Sequence, residues 1–154
     1  MTVEIGKAAP KFEMPTDGGG KVSLAALKGR PVVLYFYPKD DTPGCTTEAC
    51  GFRDLLPDFS KVKAAVIGVS RDSVTAHDKF KAKYKLPFAL ASDADGKTSD
   101  AYGTWVEKSM YGRKYMGMER ATFLIDGKGI VRAIWRKVKV TGHVEEVLEA
   151  VKAL

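Results

Sequence analysis

The sequence predicts an α/β chain with a central mixed β-sheet flanked by helices and an N-terminal β-hairpin. Three observations carry this reading. Residues 31–37 (PVVLYFY) and 64–70 (AAVIGVS) are continuous apolar runs of strand length, the pattern of strands buried on both faces. A helical segment follows each of them. Residues 121–125 (ATFLI) and 130–135 (IVRAIW) bracket Asp126-Gly127-Lys128-Gly129, a hairpin signal that makes part of the sheet antiparallel.

The elements follow in order. Residues 12–16 and 21–23 flank Asp17-Gly18-Gly19-Gly20, which reads as the N-terminal hairpin turn. After the strand at 31–37, Thr42-Pro43 opens a helix, because Thr caps well and Pro suits the first helical position. Pro57 is expected to end or kink it. Beyond the strand at 64–70, residues 73–84 carry Val74, His77, Phe80 and Tyr84 at roughly helical spacing. A short strand at 88–91 comes next. The sequence from Ala91 to Gly96-Lys97-Thr98 loosely matches a phosphate-binding loop, but Asp93 and Asp95 would repel phosphate, and Asp95-Gly96 reads as a turn. Residues 108–116 interleave basic and aromatic side chains and read as a loop capping the sheet edge beside Trp105. The antiparallel hairpin follows, then a closing helix with an apolar stripe of Val144, Val147, Leu148, Val151 and Leu154. No repeat or linker divides residues 1–154, so one domain is expected. The order fits a thioredoxin-like layout.

Composition removes several function classes. The formal charge is +6, from 25 Lys and Arg against 19 Asp and Glu. The basic residues are scattered, however, and the chain has no Asn and no Gln, the side chains that read adenine edges. Nucleic acid is therefore not expected as a partner. No apolar window approaches the length of a membrane span, and the first twenty residues form no apolar signal core, so a cytoplasmic protein without a membrane partner is expected. His77 and His143 lie far from the cysteines and from each other, which argues against a metal site; they read as surface or helix-face residues.

The two cysteines, Cys45 and Cys50, are too few for a disulfide scaffold. With Thr42 as N-cap, Cys45 falls in the first helical turn, where free N–H groups and the helix dipole favour a thiolate. The bland alternative is a small buried hydrophobe. Five residues apart on an intact helix, the two Cα atoms sit roughly 8–9 Å apart, beyond the reach of a disulfide. Either the pair never bonds or bonding requires the helix to unwind locally. Gly51 and Pro57 suit a segment that unwinds at modest cost, and equally suit ordinary helix punctuation.

These residues resemble a known family. Pro38-x-x-x-Thr42-x-x-Cys45 is similar to the peroxiredoxin active-site pattern, and Cys50 resembles the resolving cysteine of the Q-type, or bacterioferritin comigratory protein, subgroup. The likeness extends through Ala9-Pro10-x-Phe12, residues 35–40, residues 45–54, residues 92–97 and Arg120-x-Thr122-Phe123-Leu124-Ile125-Asp126. It implies a thiol peroxidase for hydrogen peroxide and organic hydroperoxides. Cys45 would become a sulfenic acid, Cys50 would condense with it, and a thioredoxin-type dithiol would reopen the disulfide. On the sequence alone Arg120 reads as a surface arginine at a strand start; the resemblance makes it the active-site cation, lowering the thiol pKa and stabilising the departing oxygen. Thr42, besides accepting the Cys45 N–H as a cap, would contact thiolate and peroxide, and Pro38 would shield Cys45 from water. Glu48 stands where many Q-type chains carry glutamine; it either orients a neighbouring arginine or is a solvated helix residue. No cofactor is implied, since sulfur carries the oxidation, and a monomer is expected. Two other functions stay open at this point. One is a general thiol–disulfide oxidoreductase, which the spacing wider than Cys-x-x-Cys disfavours; the other is a basic nucleic-acid-binding or chaperone-like protein.

Overall fold

The two apolar runs become neighbouring strands in the computed structural model, which describes residues 3–154. In chain order the elements are β1 (Glu13–Pro15), β2 (Lys21–Ser23), β3 (Val32–Phe36), α1 (Pro43–Lys61), β4 (Ala65–Ser70), α2 (Val74–Tyr84), β5 (Ala89–Ser92), α3 (Lys97–Tyr102), β6 (Trp105–Met110), β7 (Arg113–Met118), β8 (Ala121–Ile125), β9 (Val131–Trp135) and α4 (His143–Lys152). The main sheet has strand order β5-β4-β3-β8-β9. β3, β4 and β5 run parallel, while β8 pairs antiparallel with both β3 and β9. The mixed sheet and the N-terminal β1–β2 hairpin are as the sequence predicts.

β3 explains why its run has no polar gap. Val33, Tyr35 and Tyr37 face α1 and α4 in one cluster with Phe52, Phe59, Val144 and Val147. Val32, Leu34 and Phe36 face the other way, onto Phe12, Met14, Tyr102 and Met118. With successive side chains pointing to opposite faces, a strand covered on both sides must be apolar throughout.

Several expectations need correction. α1 does not end at Pro57 but continues to Lys61. The proline forfeits one helical hydrogen bond, but it lies on the exposed face, and burial of Phe52 and Phe59 on the opposite face holds the helix together. Gly51 has a packing role: a Cβ there would meet Val144 Cγ2 at 3.0 Å, so glycine lets α1 approach α4. Residues 108–116 are not a capping loop; they belong to a β-hairpin of β6 and β7, closed by Tyr111-Gly112 with positive φ at both positions (51° and 79°). α3 was also not anticipated; Asp93 caps it by accepting the Thr98 and Ser99 N–H groups at 3.0 and 2.7 Å, which leaves no place for phosphate. Leu154 lies beyond α4 and is exposed. His77 and His143 are both buried rather than on the surface. His143 bonds Thr122 Oγ1 at 2.8 Å, and burial holds its pKa below the usual value.

Candidate active site

The chain leaves β3 and turns through residues 37–41 before entering α1. Asp41 adopts a left-handed backbone (φ 58°), uncommon for a residue with a side chain. Lys83 Nζ at 2.8 Å and the Tyr84 hydroxyl at 2.9 Å donate to its carboxylate, and these bonds hold it below the usual carboxylate range. Thr42 then takes the extended cap conformation (φ −95°, ψ 156°), and its carbonyl accepts the Thr46 N–H at 2.8 Å. Its side chain does not cap the helix as expected. The tight turn brings the Lys39 carbonyl to the Thr42 hydroxyl instead, which donates to it at 2.9 Å. Pro38 is exposed on the same turn.

Pro43 and Gly44 place Cys45 as the third residue of α1, at the positive end of its dipole. The thiol is only 2% exposed and belongs to the apolar cluster with Tyr35, Tyr37, Ala49 and Phe52. Arg120, from the turn between β7 and β8, reaches it: Nη2 lies 3.4 Å from Cys45 Sγ. Gly44 makes the room, since a Cβ there would stand 3.1 Å from Arg120 Nη2. The same guanidinium donates from Nη1 to Glu48 Oε1 at 2.7 Å. Of the two readings of Glu48, the structure selects the one in which it orients the arginine, and the carboxyl is fully buried. Burial pushes Glu48 up to about 7 against the pull of Arg120. Burial opposes the Arg120 charge as well, but Glu48 and Cys45 outweigh it and its pKa lies above the usual value.

One fork of donors thus spans a thiol and a carboxylate. Glu48 Oε2 and the Tyr35 hydroxyl are buried with no partner among the described residues. Lys108 on β6 was assigned no role by sequence reasoning. It stands within electrostatic reach of this centre, its pKa lowered by burial and by Arg120 while Cys45 and Glu119 pull it up. The sequence marks it only as the first residue of the interleaved basic and aromatic run at 108–116, and it is the β6–β7 hairpin that brings it to this centre. Cys50 lies further along the intact helix, half-buried; both thiols are free. Among the described residues no group of three or more His, Cys, Asp or Glu side chains could hold a metal ion, and no helix is long and apolar enough to cross a membrane.

Residues 5–134 match the AhpC/TSA family. The chain is 52% identical over 152 residues to peroxiredoxin Bcp of Bacillus subtilis, covering 99% of this chain and 97% of that one. Among solved structures it superposes on PrxQ of Xylella fastidiosa with a TM-score of 0.93 at 42% identity, over 98% and 96% of the two chains. It superposes on the bacterioferritin comigratory protein of Xanthomonas campestris with a TM-score of 0.89 at 48% identity, over 92% and 90%. That structure comes from work on the alkyl peroxide reduction activity of the Xanthomonas protein.

Proposed function

This chain belongs to the AhpC/TSA family and is a thiol peroxidase, and from that premise we propose that Cys45 is the peroxide-reducing thiol and Cys50 its resolving partner. The observation that carries this reading is the 3.4 Å contact between Cys45 Sγ and the Arg120 guanidinium at the first turn of α1. The Cys45 thiolate attacks the nearer peroxide oxygen. The O–O bond breaks, the oxygen bearing the hydrogen joins Cys45 as a sulfenic acid, and the second oxygen departs as hydroxide or alkoxide and takes a proton from solvent to become water or alcohol. Arg120, buried and fixed by Glu48, stabilises the charge that develops on that oxygen without having to reorganise. The Cys50 thiolate then attacks the Cys45 sulfur and expels hydroxide, forming the disulfide, and an external dithiol returns both thiols by exchange. α1 cannot hold that bond as it stands, so its first turns unwind.

Thr42 and Pro38 shape the approach in this reading. The Thr42 hydroxyl, bound to Lys39 in the reduced state, swings to the peroxide as it enters. Hydrogen peroxide and organic hydroperoxides are the substrates, and a thioredoxin-type protein is the reductant. A monomer in the cytoplasm, without nucleic-acid or membrane partners, completes the proposal. Both faces of the main sheet are covered within one chain, two free thiols suit a reducing compartment, and the positive charge is dispersed.

The test is intact mass spectrometry of the reduced protein seconds after about one equivalent of hydrogen peroxide. Loss of two hydrogens is expected, absent in Cys45→Ser and in Cys50→Ser, with the latter gaining one oxygen as a sulfenic acid. An unchanged wild-type mass would overturn the proposal.

A further inference from the structure

α2 carries a buried ionisable group that the peroxide chemistry does not use. His77 is fully buried, and both of its ring nitrogens meet acceptors. Nε2 lies 2.9 Å from the Ala91 carbonyl oxygen, which can only accept, so Nε2 carries a proton. Nδ1 lies 2.6 Å from Asp40 Oδ2. The other oxygen of Asp40 accepts the Tyr37 hydroxyl at 2.5 Å, and the Asp40 backbone N–H donates to Asp72 Oδ2 at 2.8 Å. Asp72 also accepts the Ser70 hydroxyl at 2.7 Å. Two carboxylates therefore face this ring, Asp40 from the turn after β3 and Asp72 from the turn after β4. The remaining neighbours are the neutral Tyr37, whose phenol is pushed well up by burial, and the Ala91 carbonyl of β5. Burial works against a charged ring, but Asp40, Ala91 and Asp72 outweigh it, and the His77 pKa lies above the usual value.

Asp40 and Asp41 belong to the turn that delivers Cys45. Two turns along α2 from His77, Lys83 and Tyr84 hold Asp41 on the same side of the helix. Beyond Cys45, Phe52 stacks on Tyr35 at 4.5 Å, and Arg53 Nη1 donates to the Tyr84 carbonyl at 2.8 Å. The unwinding that disulfide formation demands is thereby bounded on both sides, leaving residues 42–51 between the anchors.

We propose that His77 is a positioning residue for the peroxidatic turn: as an imidazolium donating from both nitrogens, it ties Asp40 to β5 and holds the start of the rearranging segment in place. The inference rests on Cys45 being the reacting thiol, but its first test does not. Long-range proton–nitrogen NMR correlation of the two histidine rings at pH 6 reports the protonation of each nitrogen. His77 is expected to carry a proton on both, and on only one in Asp40→Asn. A singly protonated His77 in the wild type at pH 6 would overturn the proposal.

The second test follows Cys45 oxidation and then disulfide formation by stopped-flow fluorescence across pH in wild type and His77→Gln. The variant is expected to oxidise about tenfold or more slowly, as a displaced reacting group does. It should also lack the change in disulfide formation that the wild type shows as His77 loses its charge, at a pH above the ordinary histidine value. Asp40→Asn is expected to share both defects, which keeps the test decisive should His77→Gln not fold. Rates and pH profiles equal to wild type in a folded variant would overturn the positioning role. A wild type whose thiols do not oxidise would overturn the peroxidase reading and the positioning role together, and the NMR result tells that case apart.

Discussion

Glu48→Gln isolates the buried carboxylate behind Arg120. Glutamine keeps the acceptor for Arg120 Nη1 and nearly the same volume, but removes a charge that burial disfavours. In the folded protein the Glu48 carboxyl titrates at about 7 rather than at its ordinary 4.5. It therefore stays protonated between those values in the folded state while it ionises in the unfolded chain. The Glu48 contribution to folding stability consequently falls as pH rises from about 4.5 to about 7 and is level on either side. The displacement amounts to about 3 kcal/mol.

Urea denaturation of reduced wild type and Glu48→Gln at pH 4, 6 and 8 measures it. The variant should gain on the wild type progressively, by about 3 kcal/mol at pH 8 relative to pH 4. The same charge acts on the sulfur. One guanidinium spans both contacts, so carboxylate and sulfur lie within about 8 Å, where a unit charge at an effective dielectric of about 20 is worth about 2 kcal/mol. Removing it leaves Arg120 to act on Cys45 alone, and the peroxide reaction of the variant should be faster than wild type above pH 7 and similar near pH 5. Parallel stability profiles, or a variant slower at high pH, would refute the assignment of Glu48 as a buried charge opposing the thiolate.

Arg120→Lys keeps a positive charge but cannot donate to Glu48 and Cys45 at once. The rate of Cys45 oxidation should fall by about a hundredfold while secondary structure is unchanged, read by stopped flow and circular dichroism. Gly51→Ala sets a helix-propensity gain of about 1 kcal/mol against an overpacking cost of about 1–3 kcal/mol at the Val144 contact. It should lower the melting temperature in wild type and raise it in a Val144→Ala background; a fall in both would show that the glycine serves something other than the α1–α4 approach.

Legibility followed the range of the interactions. β3, β4 and the β8–β9 hairpin were plain because their signals are local: unbroken apolar runs and an Asp-Gly turn. The β6–β7 hairpin was missed because Tyr111-Gly112 is not one of the dipeptides that advertise such a turn, and its strands are too exposed to alternate cleanly. α3 is one and a half turns long and is capped by Asp93, several residues upstream. Cys45 could be found from its place after Thr42-Pro43. Arg120 is 75 residues away, and only the family pattern pointed to it. His77 looked like one member of an amphipathic stripe because nothing near it in the chain announces Asp40, 37 residues earlier.

The intact α1 across Cys45 and Cys50 has a consequence for the energetics of recycling. In the proposed cycle, whatever stabilises the wound helix stabilises the dithiol and not the disulfide, so the packing of the segment that unwinds sets how strongly the oxidised protein draws electrons. About 1.4 kcal/mol of helix stabilisation corresponds to about 30 mV in a two-electron couple. The fit of Gly51 against Val144, inside the stretch that unwinds between its anchors, thus acts as a setting for the reduction potential. A more tightly packed helix makes a disulfide that any given dithiol empties more readily, and each turn of catalysis is driven back to its start by the refolding of a few residues.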